Sequence, residues 1–298
     1  MGEAKFFLGM EVSYLQEQGL VSLSQRSYIS DMSIRFNLPE QERPVTPIKA
    51  DYYDKLQSSV NDNVLVDVPY KELVGSLIYV MVCTRPDIAF CVSCLTSYFS
   101  APKQVHWDTA IRCLGYLKAT ENLGLILGKG GEPSITCYSD SDWASNPITR
   151  RSIGGHVLYF GTSIIVWNSK TQKGILALSS TESEYIEMAM AIRQVLYLQP
   201  IFIELRFERI HETTVILNFG DNRPAIFSMG NESSKSRTKH MDVRLKFCGE
   251  VLKQGLLKIK YVPTAANIAD IFTKPLPSPR FRLLTLGRAC FRCSSFHQ

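Results

Sequence analysis

The order of elements in the second half of this chain leaves few folds open to it. Residues 134–139 (SITCYS) read as a strand running into a loop with two aspartates. Residues 155–160 and 164–168 read as the next two strands, turned by Gly161 and Thr162. A strongly apolar helix follows over 181–198, then a strand over 213–219 and a short helix over 224–229. A further helix covers 241–253, a strand covers 257–262, and a last short helix begins near Asn267. Strands met first as hairpins and then alternating with helices predict a mixed sheet with helices on its faces.

The first half has a different character. Residues 6–13 and 20–24 alternate as two short strands around Gln18 and Gly19. A helical stretch follows over 25–36, and Pro39, Pro44 and Pro47 then break regular structure. Residues 51–69 are polar and read as a loop. Helical patterns over 70–82, 87–99 and 107–120 are separated by Pro86 and Pro102. The linker GKGGEP at 128–133 sets the expected boundary. The expected layout is a mainly helical region with a short β-hairpin over 1–127, an α/β domain over 134–277, and a separate tail over 278–298.

At 298 residues, 45% hydrophobic and 20% charged, the chain has ample material for a core. Its net charge of +5 permits a polyanionic partner without requiring one. No apolar run is read as long enough to span a bilayer, and the start MGEAKFFLGM lacks the pattern of a signal peptide. Phe6 stands where a myristoylation site needs Ser or Thr. The reading therefore expects a cytoplasmic chain that is not secreted and has no membrane partner. Of eight cysteines, Cys91/Cys94 and Cys290/Cys293 form CxxC pairs. Neither has a second ligand pair nearby beyond lone His297, so core thiols are expected rather than zinc.

Four carboxylates stand where chemistry can use them. Asp140 follows the first strand of the α/β region, and Glu184 lies in the first turn of the long helix. Asp221 follows the fourth strand, and Asp270 opens the last helix. Strand ends and helix starts can meet at one rim of an α/β sheet. Four acids crowded there repel one another unless cations neutralise them, and Mg²⁺ takes hard oxygen ligands. Each acid also has a structural reading. Thr181-x-x-Glu184 fits a capping box, and Asn267-x-x-Asp270 a similar cap. Asp221 fits a helix cap and Asp140 a turn. Spacing alone leaves both readings open.

The segment YSDSDWASNPITRRSIGGHVLYFGTSIIVWNSKTQ resembles the start of the ribonuclease H domain of copia-type retrotransposon Pol polyproteins. LSSTESEY, FGDNRPAI, TKHMDVR and YVPTAANIADIFTKPL continue the resemblance in the family's order. FLGMEV, YKELVGSLIYV, TRPDIAF and YLKAT resemble the reverse transcriptase just past its active site. The resemblance implies a ribonuclease H-like five-stranded mixed sheet with flanking helices, behind the palm end and thumb or connection of a reverse transcriptase. It implies that Asp140, Glu184, Asp221 and Asp270 are the catalytic, metal-binding acids, holding two Mg²⁺ ions for which Mn²⁺ can substitute. Asp142 and Glu182 are the competing neighbours. The implied reaction is hydrolysis of the RNA strand of an RNA–DNA hybrid. The implied partners are that hybrid and the rest of a reverse transcriptase, with a virus-like particle or the nucleus as further locations. Lys235, Arg237, Lys239 and His240, and more weakly Arg150 and Arg151, are candidates to hold phosphates, with solvated loops as the alternative. Trp143 is a candidate to stack on nucleic acid or to fill the core.

The sequence also departs from the family. The paired polymerase aspartates expected ahead of Phe6 are absent, so no polymerase activity is expected of this chain alone. Asn146 and Ile148 stand where acids are usual, and Pro200 is expected to interrupt the long helix. The loop VPTAANIAD lacks the histidine that many ribonucleases H carry, Ala265 and Ala266 replace polar residues, and the tail past Pro279 does not resemble the family's end. The alternative function is a catalytically silent retrotransposon remnant that at most binds nucleic acid.

Overall fold

The computed structural model describes residues 4–65, 67–128, 134–172, 177–205, 214–217, 239–286 and 291–293. The chain divides into two units, one of Met1–Lys129 with Pro275–Gln298 and one of Gly130–Lys274.

In the first unit the short apolar strands β1 (Phe6–Phe7), β2 (Met10–Leu15) and β3 (Leu20–Ser24) form a meander. Gly9 and Gly19 turn it at positive φ, a conformation glycine adopts without steric cost. The sheet is larger than the expected hairpin. Leu123–Gly128 (β4) pairs with β3, and Phe291–Cys293 (β10) from the tail pairs with β4, giving the antiparallel order β1-β2-β3-β4-β10. Helices α1 (Arg26–Arg35), α3 (Tyr70–Cys83), α4 (Ala89–Thr96) and α5 (Gln104–Ala119) bury Ile29, Leu73, Leu77, Leu95, Leu114 and Leu117. The polar stretch read as a loop contains α2 (Tyr52–Ser58), because Tyr52 and Leu56 lie one turn apart and both reach the core. The tail adds α8 (Ser278–Leu286), whose Phe281 stands edge-on to Tyr116. Cys91 and Cys94 are buried free thiols.

The described residues of the second unit form five strands: β5 (Ile135–Asp142), β6 (Ile153–Phe160), β7 (Ser163–Thr171), β8 (Thr214–Leu217) and β9 (Lys258–Tyr261). Their order is β7-β6-β5-β8-β9. β5–β6 and β6–β7 are antiparallel, while β5–β8 and β8–β9 are parallel. Helices α6 (Ser180–Glu204) and α7 (Lys239–Lys253) supply Ile186, Ala189, Ile192, Val195, Cys248 and Val251 to a core shared with Ile135, Cys137 and Leu158.

Two expectations need correcting here. Pro200 does not interrupt α6, which runs on to Glu204. A proline in a helix interior costs about 3 kcal/mol. The packing past it opposes that cost, with Phe202 stacked on Phe160 at 4.6 Å between ring centroids. Among the described residues one helix, α6, is also long and apolar enough to cross a membrane. That apolarity serves the core, where its Ile186, Met188, Ala191, Ile192 and Val195 are buried. The element expected near Asn267 is a 3₁₀ turn, Ile268–Phe272, and the short helix expected over 224–229 lies outside the described residues.

Candidate active site

β5 is the middle strand of the second unit and runs further than its apolar pattern suggested. Asp140 lies within it rather than after it and is 7% exposed. Its register partner on β6 is Gly155. A Cβ at Gly155 would stand 2.5 Å from Phe272 Cβ, so only glycine lets the 3₁₀ turn settle against the sheet there. Ser169 Oγ on β7 donates to Phe272 O at 2.6 Å. Asn267 caps the turn through Ala269 N at 3.1 Å, and its Nδ2 donates to Ser139 O at 3.1 Å. These ties fix Asp270, 1% exposed, beside the end of β5.

Thr273 Oγ1 donates to Asp140 Oδ2. Lys274 Nζ stands 3.3 Å from Asp140 Oδ2 and 3.1 Å from Asp270 Oδ1, bridging the two acids. Burial works against the Lys274 charge, but Asp140 and Asp270 outweigh it and hold the ammonium above the ordinary lysine range.

On the opposite face of the sheet, Gly154 repeats the device for α6. A Cβ there would stand 1.8 Å from Glu187 Oε2. Glu187 pairs with His156 Nδ1 at 2.7 Å, both buried. Gln172 Nε2 donates to Ser183 O at 2.9 Å and fastens the helix start. The helix is capped by Ser179, whose Oγ accepts from Glu182 N at 3.2 Å. Glu182 in turn accepts from Leu178 N at 2.7 Å. The capping pair is thus Ser179 and Glu182, not Thr181 and Glu184, and Glu184 is released from that structural role. Burial first, then the charge of Asp140, push Glu184 up to about 7. Burial likewise raises Asp142 to about 6; Asp140 and Asp270 add to this, while Lys274 and Ser145 oppose it.

The charge of Asp140 therefore reaches both Glu184 and Asp142, and that of Asp270 reaches Asp142, while Asp221 lies outside the described residues. So do Lys235 and Arg237, together with the side chains of Lys239 and His240 in the first turn of α7. Arg150 and Arg151 are exposed in the turn that leaves β5 for β6, Arg150 at positive φ. Trp143 is neither core nor free: it is 42% exposed, with Nε1 donating to Ala177 O at 2.9 Å. Gly154, Gly155, Thr273 and Lys274 were not singled out from sequence. The run IGGH within a strand was the available signal, since adjacent glycines in a strand mark close approach.

The donor set is hard oxygen, crowded and short of positive charge, which suits a divalent cation of the magnesium class. Among the described residues no three acidic, histidine or cysteine side chains already form a ligand shell, and the cation between Asp140 and Asp270 is the Lys274 ammonium.

Three antiparallel strands followed by two parallel ones, with a carboxylate on the middle strand and others at a helix start and in the last turn, define a ribonuclease H-like domain. No protein-family model matches the chain. It is 33% identical over 289 residues to the retrovirus-related Pol polyprotein from transposon TNT 1-94 of Nicotiana tabacum, covering 95% of this chain and 21% of that one. It is 34% identical over 280 residues to the corresponding polyprotein from transposon RE1 of Arabidopsis thaliana, covering 94% and 18%. The chain belongs to the copia-type retrotransposon Pol polyproteins. It spans about a fifth of the length of the curated relatives it matches. Among solved structures, an RNase H1 isolated from compost by a metagenomic approach is 14% identical, with a TM-score of 0.36, covering 48% of this chain and 94% of that one. The strand order, rather than that distant likeness, identifies the fold.

Proposed function

We propose that the second unit hydrolyses the RNA strand of RNA–DNA hybrids with two divalent cations, Mg²⁺ or in its place Mn²⁺. The observation that carries this reading is one ammonium bridging Asp140 and Asp270, from a strand and a separate turn, with Glu184 near enough to feel the charge of Asp140. Asp140, Glu184 and Asp270, with Asp221, would hold the ions. When bound, such ions activate water and stabilise the leaving oxygen of a phosphodiester.

This chain's own residues do the positioning. Thr273 orients Asp140, while Ser169 and Asn267 hold the turn that carries Asp270. Ser179 and Glu182 fix the helix start so that Glu184 stays on the site. Lys235, Arg237, Lys239, His240, Arg150 and Arg151 are proposed phosphate contacts, which position a nucleic acid without reading its sequence. The 2′-hydroxyl would distinguish the RNA strand. The first unit is the proposed end of a reverse transcriptase, with the remainder of that enzyme as its partner.

The test is cleavage of a labelled RNA–DNA hybrid by the full chain with Mg²⁺ or Mn²⁺, beside Asp140→Asn and with RNA–RNA and DNA–DNA duplexes as controls. Hybrid-selective cleavage that falls on the order of a hundredfold or more in D140N is expected. A folded chain that binds the hybrid without cutting it would overturn the enzyme reading in favour of a silent remnant.

A further inference from the structure

Lys274 is given no task in the chemistry proposed above, yet its ammonium bridges two of the acids. Its Nζ lies 3.1 Å from Asp270 Oδ1 and 3.3 Å from Asp140 Oδ2, so one ammonium joins a strand to a turn. A magnesium ion takes carboxylate oxygens at about 2.0–2.1 Å. An ammonium at hydrogen-bond distance from the same oxygens excludes it by volume and by charge. The side chain is 30% exposed and sits on a flexible stem, so it has a way out toward solvent.

We propose that Lys274 is a resident counter-ion that competes with the divalent cation for Asp140 and Asp270, so that filling the site expels the ammonium. This rests on the assignment of those two acids as ion-holding groups. Lys274 then sets the ion concentration at which the site fills, and it holds the acids together when no ion is present. By linkage, whatever weakens the ammonium's hold tightens the ion's.

The experiment is a Mn²⁺ titration of the full chain, followed by electron paramagnetic resonance of the free ion. Wild type, Lys274→Gln, Lys274→Arg and Asp140→Asn are compared, each with its thermal midpoint without ion. K274Q is expected to melt lower without ion and to bind Mn²⁺ about tenfold more tightly. K274R, which keeps the charge, is expected to stay near wild type, and D140N is expected to bind more weakly. A K274Q affinity equal to or below that of wild type, with D140N still weakened, overturns the counter-ion role and leaves the acid assignment standing. Equal, negligible binding in wild type and D140N overturns both. Should K274Q fail to fold, the Cε resonance of Lys274 in the wild-type chain reports instead. It is expected to move in step with Mg²⁺ binding, and a resonance that stays fixed while the ion binds overturns the proposal.

Discussion

Single residues at the site divide into those whose chemistry is visible in their letter and those that work by what they lack. Asp140, Glu184 and Asp270 stood out as candidates because an acid at a strand end or helix start invites a question. Even so, the choice between Glu184 and Glu182 turned on one cap. With Ser179 as the capping residue, Glu182 is used up on Leu178 N and Glu184 takes no part in the cap. Gly155 was not legible, because its contribution is an empty volume that exists only once Phe272 has folded over it. Gly155→Ala is predicted to push the 3₁₀ turn, and Asp270 with it, off the sheet. The expected cost is about 1–3 kcal/mol, as for other overpacked sites. Thermal melting and hybrid cleavage should fall together in G155A, whereas D140N should lose cleavage far out of proportion to its loss of melting temperature.

Elements were legible where period and length agreed, and missed where tertiary contact decided. The second unit's strands were found by alternation, but β5 was read short because Asp140 and Asp142 do not resemble strand residues. α2 was missed because only Tyr52 and Leu56 of its residues show a core face. β4 has no partner nearby in sequence and exists by pairing with β3, about a hundred residues earlier. The start of α5 offers a test at this scale. His106 is buried, and its Nδ1 accepts from Lys103 N at 2.8 Å, a bond that requires the neutral ring. Burial first, then the nearby Lys103 charge, depress it from 6.5 to about 4. A depressed value means the contribution is complete above about pH 6.5 and is lost as pH falls through about 4, on the order of 3 kcal/mol at most. Denaturant unfolding of the first unit between pH 7 and 4 should show that loss. His106→Gln, which keeps an acceptor without a titrating ring, should flatten it.

At the scale of the whole molecule, the two units use the chain differently. Gly130–Lys274 is one continuous segment, whereas the other unit combines Met1–Lys129 with Pro275–Gln298. The sequence set the tail apart because it resembles no family end, and nothing local says that residues 291–293 will pair with β4. Ending the chain after Lys274 is predicted to speed hydrogen exchange at β4 and at α5, where Phe281 packs on Tyr116, and to leave β5 and β6 protected. Peptide-resolved exchange by mass spectrometry reads both at once. The same division sets an order of assembly. The continuous unit can close from Gly130–Lys274 alone, whereas the other unit cannot pair the outer edge of β4 until Pro275–Gln298 has been made, and meanwhile such an edge invites chance pairing or a chaperone.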